Sequence, residues 1–321
     1  MVLDELHKYS KWKSFLKGFF DGYGDKIQIL VTGSSRLDIY RKGGDSLMGR
    51  YFLYRMHPFS VGEIARTEGR NTPIAKALEI GASDWEALWT FGGFPEPFLN
   101  RNARFSQRWQ SLRMQQFTKE DLREMTQVQE LGSIEVLAHI LAERSGHQLI
   151  LSSLANETNV SVDTISRWLT LFEHMHYGFR LRPWFKDIAN SLRKEPKWFL
   201  RDWSAIADPG QRAETFVACH LLKAVEGWSD LGLGQFELRY IRTKQKKEVD
   251  FLVIRDRKPW FLVEVKNANT VLSSALVAFH RQLKTTHAFQ VVLDLPFEAI
   301  DCFEHSNPVV VPAKTFLSQL L

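Results

Sequence analysis

The chain has 321 residues, 44% of them hydrophobic and 25% charged, with a formal net charge of +5. That composition excludes a fibrous or disordered polymer, and the length predicts two or three globular domains rather than one. The mild positive excess permits a nucleic-acid partner without demanding one, and no apolar run approaches the length that spans a bilayer, so no membrane association is expected.

Taken in chain order, "MVLDE" reads as a short buried strand that runs into two carboxylates, Asp4 and Glu5. "KWKSFLKGFFDGY" follows as an amphipathic helix with Trp12, Phe15, Leu16, Phe19 and Phe20 on one side. "KIQILVTGSS" is a second buried strand that ends in Thr32, Gly33, Ser34 and Ser35. Strand, helix and strand over about thirty residues predict a βαβ unit with a right-handed crossover. After residue 66 the pattern turns helical: "SDWEALWTF" and "RFSQRWQSLRMQQFTKEDLREM" are helices separated by a turn at "GGFPEP", and "SIEVLAHILAERSG" is a helix with Gly146 as its C-cap. "LSSLANETNVSVDTISRWLTLFEHM" has the form of two helices joined at "TNVS", a helix-turn-helix pattern. "YGFRLRPW" and "PKWFLRDW" then read as the two strands of a wing, and Trp168, Trp184 and Trp198 as core residues. From Pro209 the chain changes character, with a helix at "GQRAETFVACHLLKAV" and strands at "KEVDFLVI", "WFLVEVK" and "AFQVVLDLP". The two cysteines, Cys219 and Cys302, form no CxxC pair, and the N-terminus is not a signal peptide, so a reduced cytoplasmic setting without structural zinc is expected.

Carboxylates at the C-terminal edge of a parallel strand are where open α/β sheets do phosphate chemistry. There Asp4 would hold Mg²⁺ and Glu5 would orient a water, while Ser34 and Arg50 would face the γ-phosphate. The runs "LDELHKYSKWK", "ILVTGSSRLDI", "SLMGRYFLYRMHPFSVGEI" and "GGFPEP" closely resemble prokaryotic AAA-type ATPases that are followed by a C-terminal domain of unknown function. "KEDL", "PKWFLRDW", "GQRAETFV" and "KEVDFLV…FLVEVK" resemble that second domain, in the same order. The resemblance implies that Asp4 and Glu5 are the Walker B pair, that Ser34 lies near the sensor position, and that ATP is the nucleotide. The family's phosphate-binding loop lies on an earlier strand. The resemblance therefore implies an N-terminally truncated member, with Met1 an internal methionine of a longer frame and its ATPase half inactive as written.

The hairpin at 247–266 carries the second constellation. Pairing Ile254 with Trp260 around a "RDRKP" loop sets Asp250 opposite Glu264 and Glu248 opposite Lys266. Alternation then puts Val249, Phe251, Val253, Phe261, Val263 and Val265 on one face and the charged residues on the other. Facing carboxylates repel, and a hard cation such as Mg²⁺ would neutralise them while Lys266 activates a water. Asp, a gap, then Glu-x-Lys resembles the core of restriction-endonuclease-like folds, which add a Glu from a preceding helix; Glu214 is the matching residue. The competing reading is a plain cross-strand ion pair between Glu248 and Lys266. On the expected recognition helix Arg167 faces outward, and with the wing residues Arg180 and Arg182 it would meet DNA phosphates.

The expected architecture is a multidomain α/β and α+β chain. A partial P-loop-type parallel sheet (1–66) precedes a helical lid or linker (67–130), a winged helix-turn-helix (131–206) and a restriction-endonuclease-like domain (207–321). The expected function is that of an AAA-type ATP-binding protein acting on or near DNA, as a homo-oligomer. Its alternatives are a metal-dependent nuclease or nucleic-acid-binding module that works without ATP, and a non-enzymatic adaptor or decayed gene product.

Overall fold

The computed structural model describes residues 1–6, 9, 11–24, 26–33, 47, 49–66, 68–69, 71–117, 131–184, 195–243, 245 and 247–321. At the N-terminus, β1 (Val2–Leu3) and β2 (Leu30–Val31) run parallel, with Val2 beside Leu30 and Leu3 beside Val31, and α1 (Trp12–Tyr23) connects them. This is the βαβ unit that the apolar–amphipathic–apolar pattern predicts. On the apolar side of α1, Trp12 is buried, but Phe15 and Phe20 stay exposed. Ser34 lies outside the described residues.

The segment that follows does not form a separate layer. α2 (Val61–Ala65) begins at a capping box in which Ser60 and Glu63 satisfy each other's backbone N–H groups. α3 (Ala82–Phe91), α4 (Pro95–Asn100) and α5 (Ala103–Gln116) come next. The expected turn at "GGFPEP" is only partly a turn, because Pro95 supplies the preset φ of a helix's first residue and starts α4. Gly93 ahead of it has to be glycine: an added Cβ would sit 2.6 Å from the Phe59 carbonyl and 2.7 Å from the Trp203 ring. Val61, Ile80, Trp85, Leu88 and Phe98 join the same hydrophobic core as the C-terminal sheet. Of the helices expected as a lid over 67–130, α3 and α4 therefore share the core of the C-terminal sheet.

A second core is built by α6 (Leu131–Glu143), α7 (Leu151–Thr158) and α8 (Val162–His174) around Leu137, Leu141, Leu154, Ile165, Leu169 and Phe172. Asn159 in the left-handed region ends α7, and the Ser161 hydroxyl caps α8, so the joint falls where "TNVS" predicts it. β3 (Gly178–Leu181) and β4 (Lys197–Leu200) pair antiparallel, as the two predicted strands require. The described strand residues are largely buried rather than exposed. All four β4 residues are buried, Trp198 in the helical core and Phe199 in the sheet core, so the hairpin joins the two cores.

The remaining chain is α9 (Pro209–Asp230), β5 (Phe236–Arg242), β6 (Glu248–Arg255), β7 (Lys258–Lys266), α10 (Ser274–Leu283), β8 (His287–Val292), β9 (Val309–Pro312) and α11 (Ala313–Gln319). The five strands lie in the order β5-β6-β7-β8-β9, antiparallel up to β7 and parallel from β7 onward, a mixed sheet. Sequence pattern missed β5 and β9. The β6–β7 turn is also tighter than "RDRKP": Asp256 (φ +49°) and Arg257 (φ +64°) alone make it, both in the left-handed region that matches strand twist. The predicted register holds from Phe251↔Val263 to Val253↔Phe261; nearer the turn a bulge shifts it, so that Ile254 pairs with Pro259 rather than Trp260. The sheet is covered on both faces. α9 packs on Phe251, Val253, Phe261 and Val263, while α10 packs on Leu252, Ile254 and Leu262. A second bulge sets Asp250 and Phe251 of β6 against the single residue Tyr240 of β5. It moves Val249 into the α10-side core, off the face where strict alternation places it.

Phe216 of α9 is fully buried and packs edge-on against Trp85, Trp89 and Trp203. Phe216→Ala is expected to cost about 3–5 kcal/mol through lost burial and the cavity it leaves. Because the ring joins α3 to the C-terminal sheet, tryptophan fluorescence and far-UV circular dichroism should still report one shared urea transition, moved to lower urea. Two separated transitions in the wild-type protein would contradict the shared core.

Candidate functional site

The acidic centre forms where β6 and β7 part. Their ladder ends at Phe251↔Val263, while β7 continues to Lys266 against β8. The Val265 N–H, which no longer meets a β6 carbonyl, donates instead to Asp250 Oδ2 at 2.9 Å. The bulge at Asp250 thus supplies by side chain what the backbone withdraws. Glu264 is 7% exposed and accepts from Lys266 Nζ at 2.8 Å through Oε1; its Oε2 is buried with no hydrogen-bond partner. Glu214 comes from the second turn of α9, a helix started by Pro209 and capped by the Asp208 carboxylate.

Sequence spacing grouped Glu214, Asp250, Glu264 and Lys266, and the charge of Asp250 acts on each of the other three. It did not reveal the residue at their centre. Lys197, the first residue of β4, is 5% exposed, and its Nζ lies 2.8 Å from Glu214 Oε1 and 2.5 Å from Glu248 Oε1. Arg242 Nη1 donates to the other Glu248 oxygen at 2.8 Å, and the Tyr240 ring lies 5.6 Å from the ammonium. The cross-strand Glu248–Lys266 pair read from alternation is replaced by Lys197–Glu248 and Lys266–Glu264.

Burial alone would strip Lys197 of its proton. The charges of Glu214, Asp250 and Glu248 outweigh it and hold the pKa above lysine's ordinary value. Burial, then the charge of Asp250, pushes Glu214 up to about 7 against the pull of Lys197. The same two causes push Glu264 up to about 7 against Lys266. Asp250 is raised by burial, with Lys197 and the Val265 N–H pulling the other way. The expectation that Asp250, Glu264 and Glu214 share Mg²⁺ does not fit this arrangement: among the described residues, no three His, Cys, Asp or Glu side chains are grouped to hold a metal ion. Each acid is instead engaged by a lysine or a backbone N–H.

The other expected site residues are scattered. Asp4 Oδ1 accepts from the Thr32 hydroxyl, linking the ends of β1 and β2. Glu5 follows with φ +50°, outside the strand. Arg50, expected to face a phosphate, is tied to Asp21 of α1 at 2.8 Å. Arg180, expected to meet a DNA phosphate, has its guanidinium held by Glu173 and Thr170, with 16% of the side chain exposed. Arg167 is exposed and donates to Thr164 at 3.2 Å within α8. Arg182 is half-buried, and its carbonyl accepts from the Tyr240 N–H, stitching the end of β3 to β5.

Sequence reasoning also passed over the junction between 55–63 and α9. Arg55 lies 3.2 Å from Asp230, and His57 Nε2 lies 2.8 Å from Glu226. Lys223 Nζ donates to the Pro58 carbonyl at 2.8 Å and pairs with Glu63. Arg201 donates to His57 Nδ1, which places the imidazole proton on Nε2, toward Glu226. Burial holds the His57 pKa below its ordinary value.

Comparison with known proteins matches the chain in three segments. Residues 1–65 match a family described as "AAA domain", residues 82–207 a "Domain of unknown function (DUF8612)", and residues 209–311 a "Domain of unknown function (DUF4143)". An AAA-type segment is thus followed by domains of unknown function. The chain is 24% identical over 277 residues to "Uncharacterized protein Rv2008c" of Mycobacterium tuberculosis and to "Uncharacterized protein Mb2031c" of Mycobacterium bovis. Those alignments cover 84% of this chain but 59% of each relative, so the chain spans about three fifths of their length. No solved structure matches it significantly. No helix among the described residues is long and apolar enough to cross a membrane.

Two measurements probe the centre. Removing Lys197 leaves buried carboxylates uncompensated, so Lys197→Ala should lower the urea-unfolding free energy by about 3–5 kcal/mol at pH 8. The raised carboxyls make stability depend on pH. Glu214 and Glu264 bind protons more tightly folded, with a pKa of about 7, than unfolded, near 4.5. Their contribution is complete below pH 4.5 and is lost as pH rises through about 7. Glu264→Gln should therefore gain about 2–3 kcal/mol relative to wild type between pH 5 and pH 8. A difference that does not change with pH would contradict the assignment.

Proposed function

We propose that this chain is an AAA-type ATP-binding protein acting on or near DNA, and that its C-terminal domain is a restriction-endonuclease-like module that does not cut. One observation carries the reading. Glu214, Asp250, Glu264 and Lys266, which sequence spacing marks as a nuclease-like set, meet at the β6–β7 splay with every acid already engaged. Phosphodiester hydrolysis by such a set needs carboxylates open to a hard cation and a lysine free to steer a water. Lys197 instead lies on Glu214 and Glu248, and Lys266 is committed to Glu264.

The nucleotide part of the proposal rests on the similarity of residues 1–65 to AAA domains. The DNA part rests on the net positive charge and on the joined helices α7 and α8, which leave Arg167 exposed. With Arg180 committed to Glu173, few phosphate contacts remain.

Supercoiled plasmid incubated with the chain and Mg²⁺ or Mn²⁺ should stay intact. Nicking that disappears in Lys266→Ala would overturn the non-cutting reading. Duplex binding followed by fluorescence anisotropy should be weak and should fall about tenfold from 50 to 200 mM salt, as about two phosphate contacts predict. Binding that is absent even at low salt, or unchanged in Arg167→Ala/Arg182→Ala, would remove DNA from the function.

A further inference from the structure

A cavity of about 200 Å³ opens between α5, the ends of α6 and α8, and the chain that leaves β4. Every described residue that lines it lies within 82–207, so it shares none with the acidic centre's carboxylates or with the AAA-type segment. Its walls are largely apolar: Met114, Phe117, Met175, Tyr177 and Leu200, with the Phe117 and Tyr177 rings stacked at 4.5 Å. An apolar cavity of about 150 Å³ takes up benzene, so this one has room for a two-ring heterocycle.

Two charged side chains, Arg113 and Asp202, share the wall. Arg113 Nη1 stands 3.7 Å from Asp202 Oδ2, beyond hydrogen-bond reach. Each is positioned by something else. The guanidinium lies 3.7 Å over the Phe94 ring and 5.2 Å from the Trp109 ring, a stack that leaves its in-plane N–H groups open. Asp202 Oδ1 accepts from the Ser204 N–H at 3.1 Å and from its hydroxyl at 2.5 Å, and Gln110 donates to that hydroxyl oxygen at 3.0 Å. Among the described residues the hydrogen bonds of Asp202 fall on Oδ1 and leave Oδ2 an open acceptor. Arg113 keeps 33% of its side chain exposed, so a ligand reaches the pair from solvent.

A donor fork beside an acceptor, with charges that cancel, selects the ligand. An anion would be set against Asp202 and a cation against Arg113, each at a cost that burial raises. A neutral planar edge with acceptors next to donors meets both. Guanine carries O6 and N7 for a guanidinium fork, and N1–H and its amine for a carboxylate. Adenine and uracil each offer the fork a single acceptor beside a donor. We infer that the cavity binds a guanine base, with Arg113 on O6 and N7, Asp202 Oδ2 on N1–H and the amine, and the apolar walls against the rings. This gives the segment 82–207 a ligand of its own and goes beyond the nucleotide and DNA readings above. A free nucleoside and a base turned out of a strand present the same edge.

The test uses the full chain and titration calorimetry. Guanosine should bind about tenfold more tightly than adenosine or uridine, and 1-methylguanosine, which lacks the N1 proton, should not bind. Asp202→Asn keeps an oxygen for Ser204 and loses the second acceptor, so it should weaken guanosine about tenfold. Ala142→Leu, which fills the cavity from α6 with a good helix former, should abolish binding while circular dichroism stays unchanged. In a second arm, a thymine strand with one guanine is compared with an all-thymine strand. A gain from the guanine that disappears in Ala142→Leu shows that the base comes from a strand; binding of guanosine without that gain shows a free nucleoside. Either result supports the site. No guanosine binding together with no gain in the strand overturns it, as does equal affinity for the three nucleosides, binding of 1-methylguanosine as tight as that of guanosine, or binding that survives Ala142→Leu.

Discussion

A buried ammonium between carboxylates is the contact on which the rest of this molecule turns. Lys197 cannot leave Glu214 and Glu248 without exposing uncompensated charge in a place that solvent barely reaches, and that penalty is what makes a buried pair hard to break from one side. Because the lysine and the acids lie on separate stretches of chain, the pair does more than neutralise. It sets the register in which β4 lies against α9 and β6, and so where Trp198 and Phe199 enter their two cores. Gln148 next to β4 adds a bridge to Lys197 and a hydrogen bond to the Tyr240 hydroxyl, so backbone and side chain fix the same alignment.

The same logic governs the hand-over from the AAA-type segment. Residues 55–63 fall within the 1–65 match yet are fastened to α9 by Arg55, His57 and the carbonyl of Pro58. α9 therefore carries Glu214 near its N-terminal end and the partners of the AAA-type segment, Lys223, Glu226 and Asp230, toward its C-terminal end. A helix is stiff over this length. One helix thus carries contacts to residues 55–63 toward one end and to Lys197 toward the other.

Local pattern was enough for those parts of the fold that local physics decides. The βαβ start, the helix joint at 159–161 and the β6–β7 hairpin were all legible, because hydrophobic period, caps and turn residues act within a few positions. The far half of the hairpin register was legible for the same reason, and with it the meeting of Asp250, Glu264 and Lys266. The bulges were not. Nothing in "KEVDFLVI" says that two of its residues will oppose Tyr240 alone, since that depends on β5, whose "FELRYIR" was itself not read as a strand. Nor could the wing be told from a buried hairpin: "KWFL" looks the same in either, and only the second core, on the other side of β4, buries all of it.

Lys197 shows the limit most clearly. A lysine at the start of an apolar strand is ordinarily a solubilising edge residue. Here it is buried because carboxylates 17 and 51 residues later in the chain converge on it. No window of sequence contains both halves of that contact. The acids carried a readable signature because nuclease-like spacing is local to one hairpin, and that signature alone suggests a metal centre. The residue that changes the chemistry sits outside the signature, so reading the motif without its tertiary counter-ion predicts the geometry of the carboxylates and misjudges the cation among them.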